Sequence, residues 1–114
     1  MKSLNSWTNG IADTGLLQRC KTAIRNIAKD ADVILYGSRA RGNANKDSDY
    51  DILIIVNGPV DMALKKEMLS NIYPLELETG AVLTLIVYSK QQWYSPLYRA
   101  MPFHKNVERD GVLL

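Results

Sequence analysis

The chain holds one cysteine, one histidine and one phenylalanine in 114 residues. A lone thiol, Cys20, excludes an intrachain disulfide framework and a thiolate metal cluster. No apolar run approaches the roughly 20 residues of a membrane span, since stretches such as Ile52 to Val56 are soon interrupted. The opening MKSLNSWTNG has no apolar signal core, so a cytoplasmic protein is expected. A surplus of one charge is also missing: 14 basic residues face 12 acidic ones, a net charge of +2. The basic residues form no block, so neither nucleic acid nor a membrane surface is an expected partner. What is present, 46% hydrophobic residues, suits one compact domain over 1–114 and excludes a disordered charged tail.

Spacing supplies the elements. Leu16, Leu17, Cys20, Ala23, Ile24, Ile27 and Ala28 recur at threes and fours, one face of an amphipathic helix over 13–29. Asp13 is its expected cap, and Asp30 to Asp32 break it. Val33 to Tyr36 is a short apolar strand closing at Gly37. Asp49 to Val56 is a second strand, apolar on both parities in its latter part and so buried on both faces. Asn57-Gly58-Pro59 marks a turn. Met62, Leu64, Lys65, Met68, Leu69 and Ile72 predict a second helix stopped before Pro74, and Ala81 to Tyr88 a third strand. Leu97 to Met101 and Phe103 to Arg109 read as short helical turns, with Gly111 as a helix stop and Val112 to Leu114 extended. The expected class is α/β (α+β), a small mixed sheet flanked by helices.

Only eleven residues, Ser38 to Ser48, separate the first strand from the second. A parallel crossover usually needs a dozen or more, so this pair is expected to be antiparallel, with Gly37 beside Asp49. The longer stretch from Val56 to Ala81 has room for a helical crossover, which lets the third strand run parallel to the second.

That junction carries the chemistry. Arg39, Arg41 and Lys46 precede Asp47, Asp49 and Asp51 within thirteen residues, a crowding of both signs that points to a held polyanion. Residues two apart in a strand share a face, about 6.6 Å apart along the chain. Asp49 and Asp51 can therefore converge on one divalent ion, and Mg²⁺ suits two carboxylates completed by water and phosphate oxygens. Gly37 lets a phosphate approach the backbone, Ser38 opens a turn whose free N–H groups favour anions, and its hydroxyl can donate to a phosphate oxygen. Arg39 or Arg41 supplies further positive charge, Arg41 alternatively bracing the loop. Together these parts describe a nucleoside triphosphate with its Mg²⁺. An EF-hand starting at Asp47 is excluded because Ile52 and Gly58 stand where Gly and Glu are required. No Gly-Lys-Ser/Thr follows to make a Walker A loop.

Gly37-Ser38, ten residues, then Asp49-x-Asp51, in the fuller form Gly37-Ser38-Arg39-Ala40-Arg41-Gly42 between hydrophobic strands, resembles the minimal nucleotidyltransferase (MNT) domains of the DNA polymerase β superfamily. The motif residues lie between 36 and 56, while the likeness in length and element order spans nearly the whole chain. The resemblance implies a nucleotidyltransferase fold and transfer of a nucleotidyl group, AMP from ATP, to an acceptor hydroxyl with release of pyrophosphate. It implies that Gly37 and Ser38 hold the terminal phosphates and that Asp49 and Asp51 bind Mg²⁺, or Mn²⁺ in its place, as the catalytic pair. It also implies a partner: some members act as antitoxins that adenylylate a helical HEPN-type protein encoded beside them. A homo-oligomer, as in the aminoglycoside nucleotidyltransferases, is the lower-ranked arrangement.

One departure stands out. Family members add a third carboxylate on the next core strand, where this chain reads Ala81-Val82-Leu83-Thr84-Leu85-Ile86-Val87. Thr84 takes that place and cannot serve as a base near neutral pH. The expected outcomes are a transferase of reduced or partner-dependent activity, with a carboxylate borrowed from Glu76, Glu78 or a partner, or a silent nucleotide-binding regulatory module. His104 is expected to cap or cover a short helix and Cys20 to sit in the core. Trp93, Tyr94, Tyr98 and Phe103 are core or edge residues that could equally line a nucleobase pocket or a dimer surface.

Overall fold

The structure, a computed structural model, describes residues 1–7, 13–44 and 48–114. In chain order it contains β1 (Lys2–Ser3), α1 (Thr14–Arg25), β2 (Asp32–Tyr36), α2 (Ser38–Arg41) and β3 (Tyr50–Val56). There follow α3 (Met62–Thr79), β4 (Leu83–Ser89), α4 (Lys90–Trp93), α5 (Pro96–Arg99), α6 (Pro102–Asp110) and β5 (Val112–Leu113). The strands form one sheet in the order β1-β5-β2-β3-β4. As the short connection requires, β2 and β3 are antiparallel, and β4 runs parallel to β3 after the α3 crossover.

Strand parity divides the core into two layers. Val33 and Leu35 of β2 and Tyr50, Ile52, Ile54 and Val56 of β3 pack with Leu17, Cys20 and Ile24 of α1 and Met68, Ile72 and Leu75 of α3. Ile34, Leu53 and Ile55 face the other way, toward Trp93 of α4 and Val107 of α6. Residues 52–55 are all buried, which is why β3 carries no alternation.

Several boundaries differ from those the sequence predicts. α1 ends at Arg25 instead of residue 29, and the Arg25 side chain donates to the Ala31 carbonyl at 2.9 Å across the following turn. α3 continues through Pro74 to Thr79. Proline costs an interior helix bond and clashes with the preceding turn, but Ile72 and Leu75 on either side of it are buried in the core while Pro74 itself is exposed. Tertiary burial outweighs the local penalty. α6 does stop at Gly111, yet that glycine is extended (φ −64°, ψ 152°), not left-handed. It is needed because a Cβ there would lie 2.5 Å from the Val107 carbonyl oxygen. β1, which pairs with β5, is too short to show a pattern. α4 was readable: Ser89 and Gln92 form the spacing of a capping box, and Ser89 Oγ accepts from the Gln92 amide at 3.1 Å.

Among the described residues no helix is long and apolar enough to cross a membrane. Cys20 is fully buried, as expected, and burial pushes its thiol up to about 12. His104 is buried within α6, its ring stacked on Trp93 of the short helix α4 with centroids 4.2 Å apart. Trp93 is wholly buried, Tyr98 and Phe103 pack against the same layer, and Tyr94 is exposed.

Candidate active site

The last rung of the β2–β3 ladder pairs Tyr36 with Asp51. Beyond it β2 leaves the sheet through Gly37, whose backbone (φ 78°, ψ −159°) lies in a region essentially restricted to glycine. A Cβ at this position would overlap Asp51 Oδ2. Glycine therefore serves twice, turning the chain and letting the backbone lie against a carboxylate. Ser38 immediately begins α2, one turn long, which closes at Gly42. The amides of Arg41, Gly42 and Asn43 bond back to this turn, through Gly37 O at 3.2 Å, Arg39 O at 3.3 Å and Ser38 O at 3.1 Å.

Asp51 stands on the second residue of β3, on the face opposite Tyr50, and Asp49 just precedes the strand. On the other side, the parallel register pairs Asp51 with Thr84. The Thr84 hydroxyl makes a long contact, 3.5 Å, to Asp49 Oδ2. Asp49 and Thr84 are exposed and Asp51 is half-buried. Asp51 is held above the ordinary carboxylate range, by burial first and then by the charge of Asp49, while Arg41 pulls it down. Two like charges share one face, and the Asp49 charge makes Asp51 harder to ionise.

The donor set fits a divalent cation on that ground. Two carboxylates, one disfavoured in its charged form by the other, leave most positions around a hard ion to water and phosphate oxygens, as Mg²⁺ prefers. Among the described residues no group of three or more His, Cys, Asp or Glu side chains converges. Glu76 and Glu78 are engaged elsewhere: Glu76 accepts from the Leu83 amide at 3.0 Å, and Glu78 pairs with Arg19 at 2.5 Å. Neither replaces the missing acid within this chain. Lys46 and Asp47 lie outside the described residues.

Either arginine is expected to supply charge, with bracing as an alternative for Arg41; the contacts of a brace belong to Arg39. Arg39 turns away from Asp51 to the Tyr50 side of the sheet. Its Nε donates to the Ser48 carbonyl at 2.9 Å, its guanidinium lies 4.0 Å over the Tyr50 ring, and it meets Asp13 Oδ2 at 3.7 Å. Arg41 is exposed, and its charge acts on both Asp51 and Asp110. Asp13 is also reassigned. It makes no side-chain cap to α1 and instead accepts a 2.6 Å hydrogen bond from the Tyr50 hydroxyl. Sequence reasoning missed Trp7, whose buried Nε1 donates to the Ala40 carbonyl at 3.0 Å and so tethers α2. No periodicity near the N-terminus signals it.

A hollow of about 490 Å³ between Asn57–Val60 and Ser89–Gln92 lies at the far end of β3 and is lined by no charged side chain. Neither the carboxylates nor the serine turn borders this depression.

Comparison with known proteins agrees with the geometry. A profile described as "Nucleotidyltransferase domain" matches residues 17–109. Two curated relatives come from Methanocaldococcus jannaschii. "Putative protein adenylyltransferase MJ0604" is 35% identical over 82 residues, covering 72% of this chain and 75% of that protein. "Putative protein adenylyltransferase MJ0141" is 31% identical over 77 residues, covering 66% and 78%.

Proposed function

The chain belongs to the nucleotidyltransferase domain family, and from that premise we propose that it binds ATP with Mg²⁺ and transfers AMP to a hydroxyl on a partner protein. The observation that carries this reading is the contact of Gly37 with Asp51: the serine turn and the acid pair meet at one end of the sheet. The naming of both relatives as protein adenylyltransferases favours ATP as donor and a protein as acceptor. A helical HEPN-type protein, in a toxin–antitoxin arrangement, is the partner we propose, and a cytoplasmic location follows from the use of ATP.

In this reading Gly37 and Ser38 hold the terminal phosphates, Arg41 offsets their charge, and Asp49 with Asp51 hold the cation. Bound there, a divalent ion supplies charge neutralisation at the phosphate oxygens. The acceptor oxygen bonds to the α-phosphorus, the bond to the bridging oxygen breaks, pyrophosphate leaves, and the hydroxyl proton passes to solvent or to a group on the partner. Thr84 cannot take it. General-base assistance is typically worth 10²–10⁴-fold, so transfer by the isolated chain is slow.

Thr84, the register partner of Asp51, also favours a second reading: a regulatory module that binds nucleotide without turnover. Incubation with α-labelled ATP, Mg²⁺ or Mn²⁺ and the product of the neighbouring gene separates the two. Label on that protein supports transfer. Bound nucleotide with no transfer under any condition supports the module, and no nucleotide-dependent thermal shift at millimolar ATP and Mg²⁺ overturns both.

A further inference from the structure

We propose that Arg39, Asp13 and Tyr50 form a clamp that sets the distance between the serine turn and the acid pair without touching what binds there. The ladder that fixes β2 to β3 ends at Tyr36 and Asp51, so Ser38 and Asp49 lie beyond its last rung. α2 is a single turn, too short to be stable alone. Contacts outside the turn must hold it: Trp7 tethers the Ala40 carbonyl, and Arg39 ties the turn to the Asp49 side of the junction. Its Nε bonds the Ser48 carbonyl, the residue directly before Asp49, at 2.9 Å. Its guanidinium carbon sits 4.0 Å over the centre of the Tyr50 ring, directly after Asp49. One side chain from α2 thus grips the backbone on both sides of the first aspartate.

The grip is itself oriented. Asp13 accepts from the Tyr50 hydroxyl at 2.6 Å and faces the guanidinium at 3.7 Å, closing a ring of three side chains. The Arg39 side chain is only 12% exposed. Burial and the Asp13 hydrogen bond push the Tyr50 hydroxyl up to about 12, so it keeps the proton it donates. A guanidinium so enclosed is suited to bracing, not to meeting a solvated triphosphate. Lysine could keep the charge, but it would lose both the planar stack and the donor geometry. Neighbouring strand residues point to opposite faces, so a ligand at Asp51 reaches neither the Tyr50 phenol nor Asp13. Those two groups therefore act on ligand binding from a distance, through Arg39 and the backbone of Tyr50.

The clamp is testable in the free protein, and its consequence for ATP rests on the function proposed above. In amide hydrogen exchange, Arg39→Lys and Tyr50→Phe should each speed exchange about tenfold at Arg41, Gly42 and Asn43, with α1 and β4 unchanged. Unchanged protection, or an equal loss over the whole molecule, would overturn the clamp. In calorimetric titration with Mg²⁺–ATP, each variant should weaken binding about tenfold, and the double variant no further, because the residues act as one unit. Full affinity in Tyr50→Phe with most of it kept in Arg39→Lys would instead make Arg39 a direct phosphate contact and defeat the proposal. If the wild-type chain binds no Mg²⁺–ATP, the nucleotide reading falls, and the exchange measurement alone decides the clamp.

Discussion

At the scale of single residues, Gly37 and Asp51 constrain each other. The backbone of Gly37 is one that L side chains rarely adopt, and the space a Cβ needs is taken by the Asp51 carboxylate. Gly37→Ala should therefore cost about 1–3 kcal/mol of stability and displace the carboxylate, which denaturant unfolding and loss of the Mg²⁺–ATP thermal shift would both register. Asp51 gives the opposite sign. Its carboxyl is held above the ordinary range in the fold, so its favourable contribution is present at acid pH and is lost as pH rises through the folded value. At neutral pH the ionised group is a net cost. Asp51→Asn should stabilise the ligand-free protein, by no more than about 1 kcal/mol because water still screens the pair, and should abolish stabilisation by divalent cation. A variant that loses stability without cation, or keeps the cation response, would contradict this account.

At the scale of elements, α3 shows where local propensity yields. Its apolar face continues from Met68 and Ile72 to Leu75 across Pro74. An interior proline costs roughly 3 kcal/mol, and replacing it returns about 0.4–1 kcal/mol of entropy to the unfolded chain. Pro74→Ala should accordingly raise stability by about 2 kcal/mol or slightly more in urea unfolding, with the fold unchanged. The same contrast explains how much was legible beforehand. Strong periodicity gave α1, and the two-parity apolar run gave β3. The short spacing between β2 and β3 gave the antiparallel junction, although it put Gly37 beside Asp49, whereas the ladder ends on Tyr36 and Asp51 and sets Gly37 against the Asp51 carboxylate. Dispersed tertiary contacts were not legible, because a side chain's partner across the fold leaves no local trace. Asp13 has the spacing of a helix cap yet bonds Tyr50, and Arg39 and Arg41, equivalent in composition, diverge because one faces a ring and a carboxylate while the other faces solvent.

For the whole molecule, the two core layers carry protonated acids that the unfolded chain would release earlier. Burial raises Cys20 from 9.0 to about 12, with Glu76 adding to the shift. Tyr36 rises from 10.0 to about 12 through burial and then the nearby Asp51 charge, and Tyr50 reaches about 12 through burial and its Asp13 hydrogen bond. Two of the three lie in the layer under α1 and α3, while Tyr36 lies in the layer under α6. Between about pH 9 and 12 the unfolded chain binds fewer protons than the folded one, so stability must fall as pH rises. Below that window all three groups are protonated in both states and contribute no slope. Denaturant midpoints should therefore lose no stability to these groups from pH 7 to about 8.5, then decline. Cys20→Ala removes the group that titrates first in the unfolded chain and should delay the onset by about one pH unit, toward the ordinary tyrosine range. The thiol should also resist alkylation in the folded protein and react only on unfolding. Stability that holds to pH 11, or rapid labelling of Cys20 under native conditions, would show that the layer under α1 and α3 is wetter than its packing indicates.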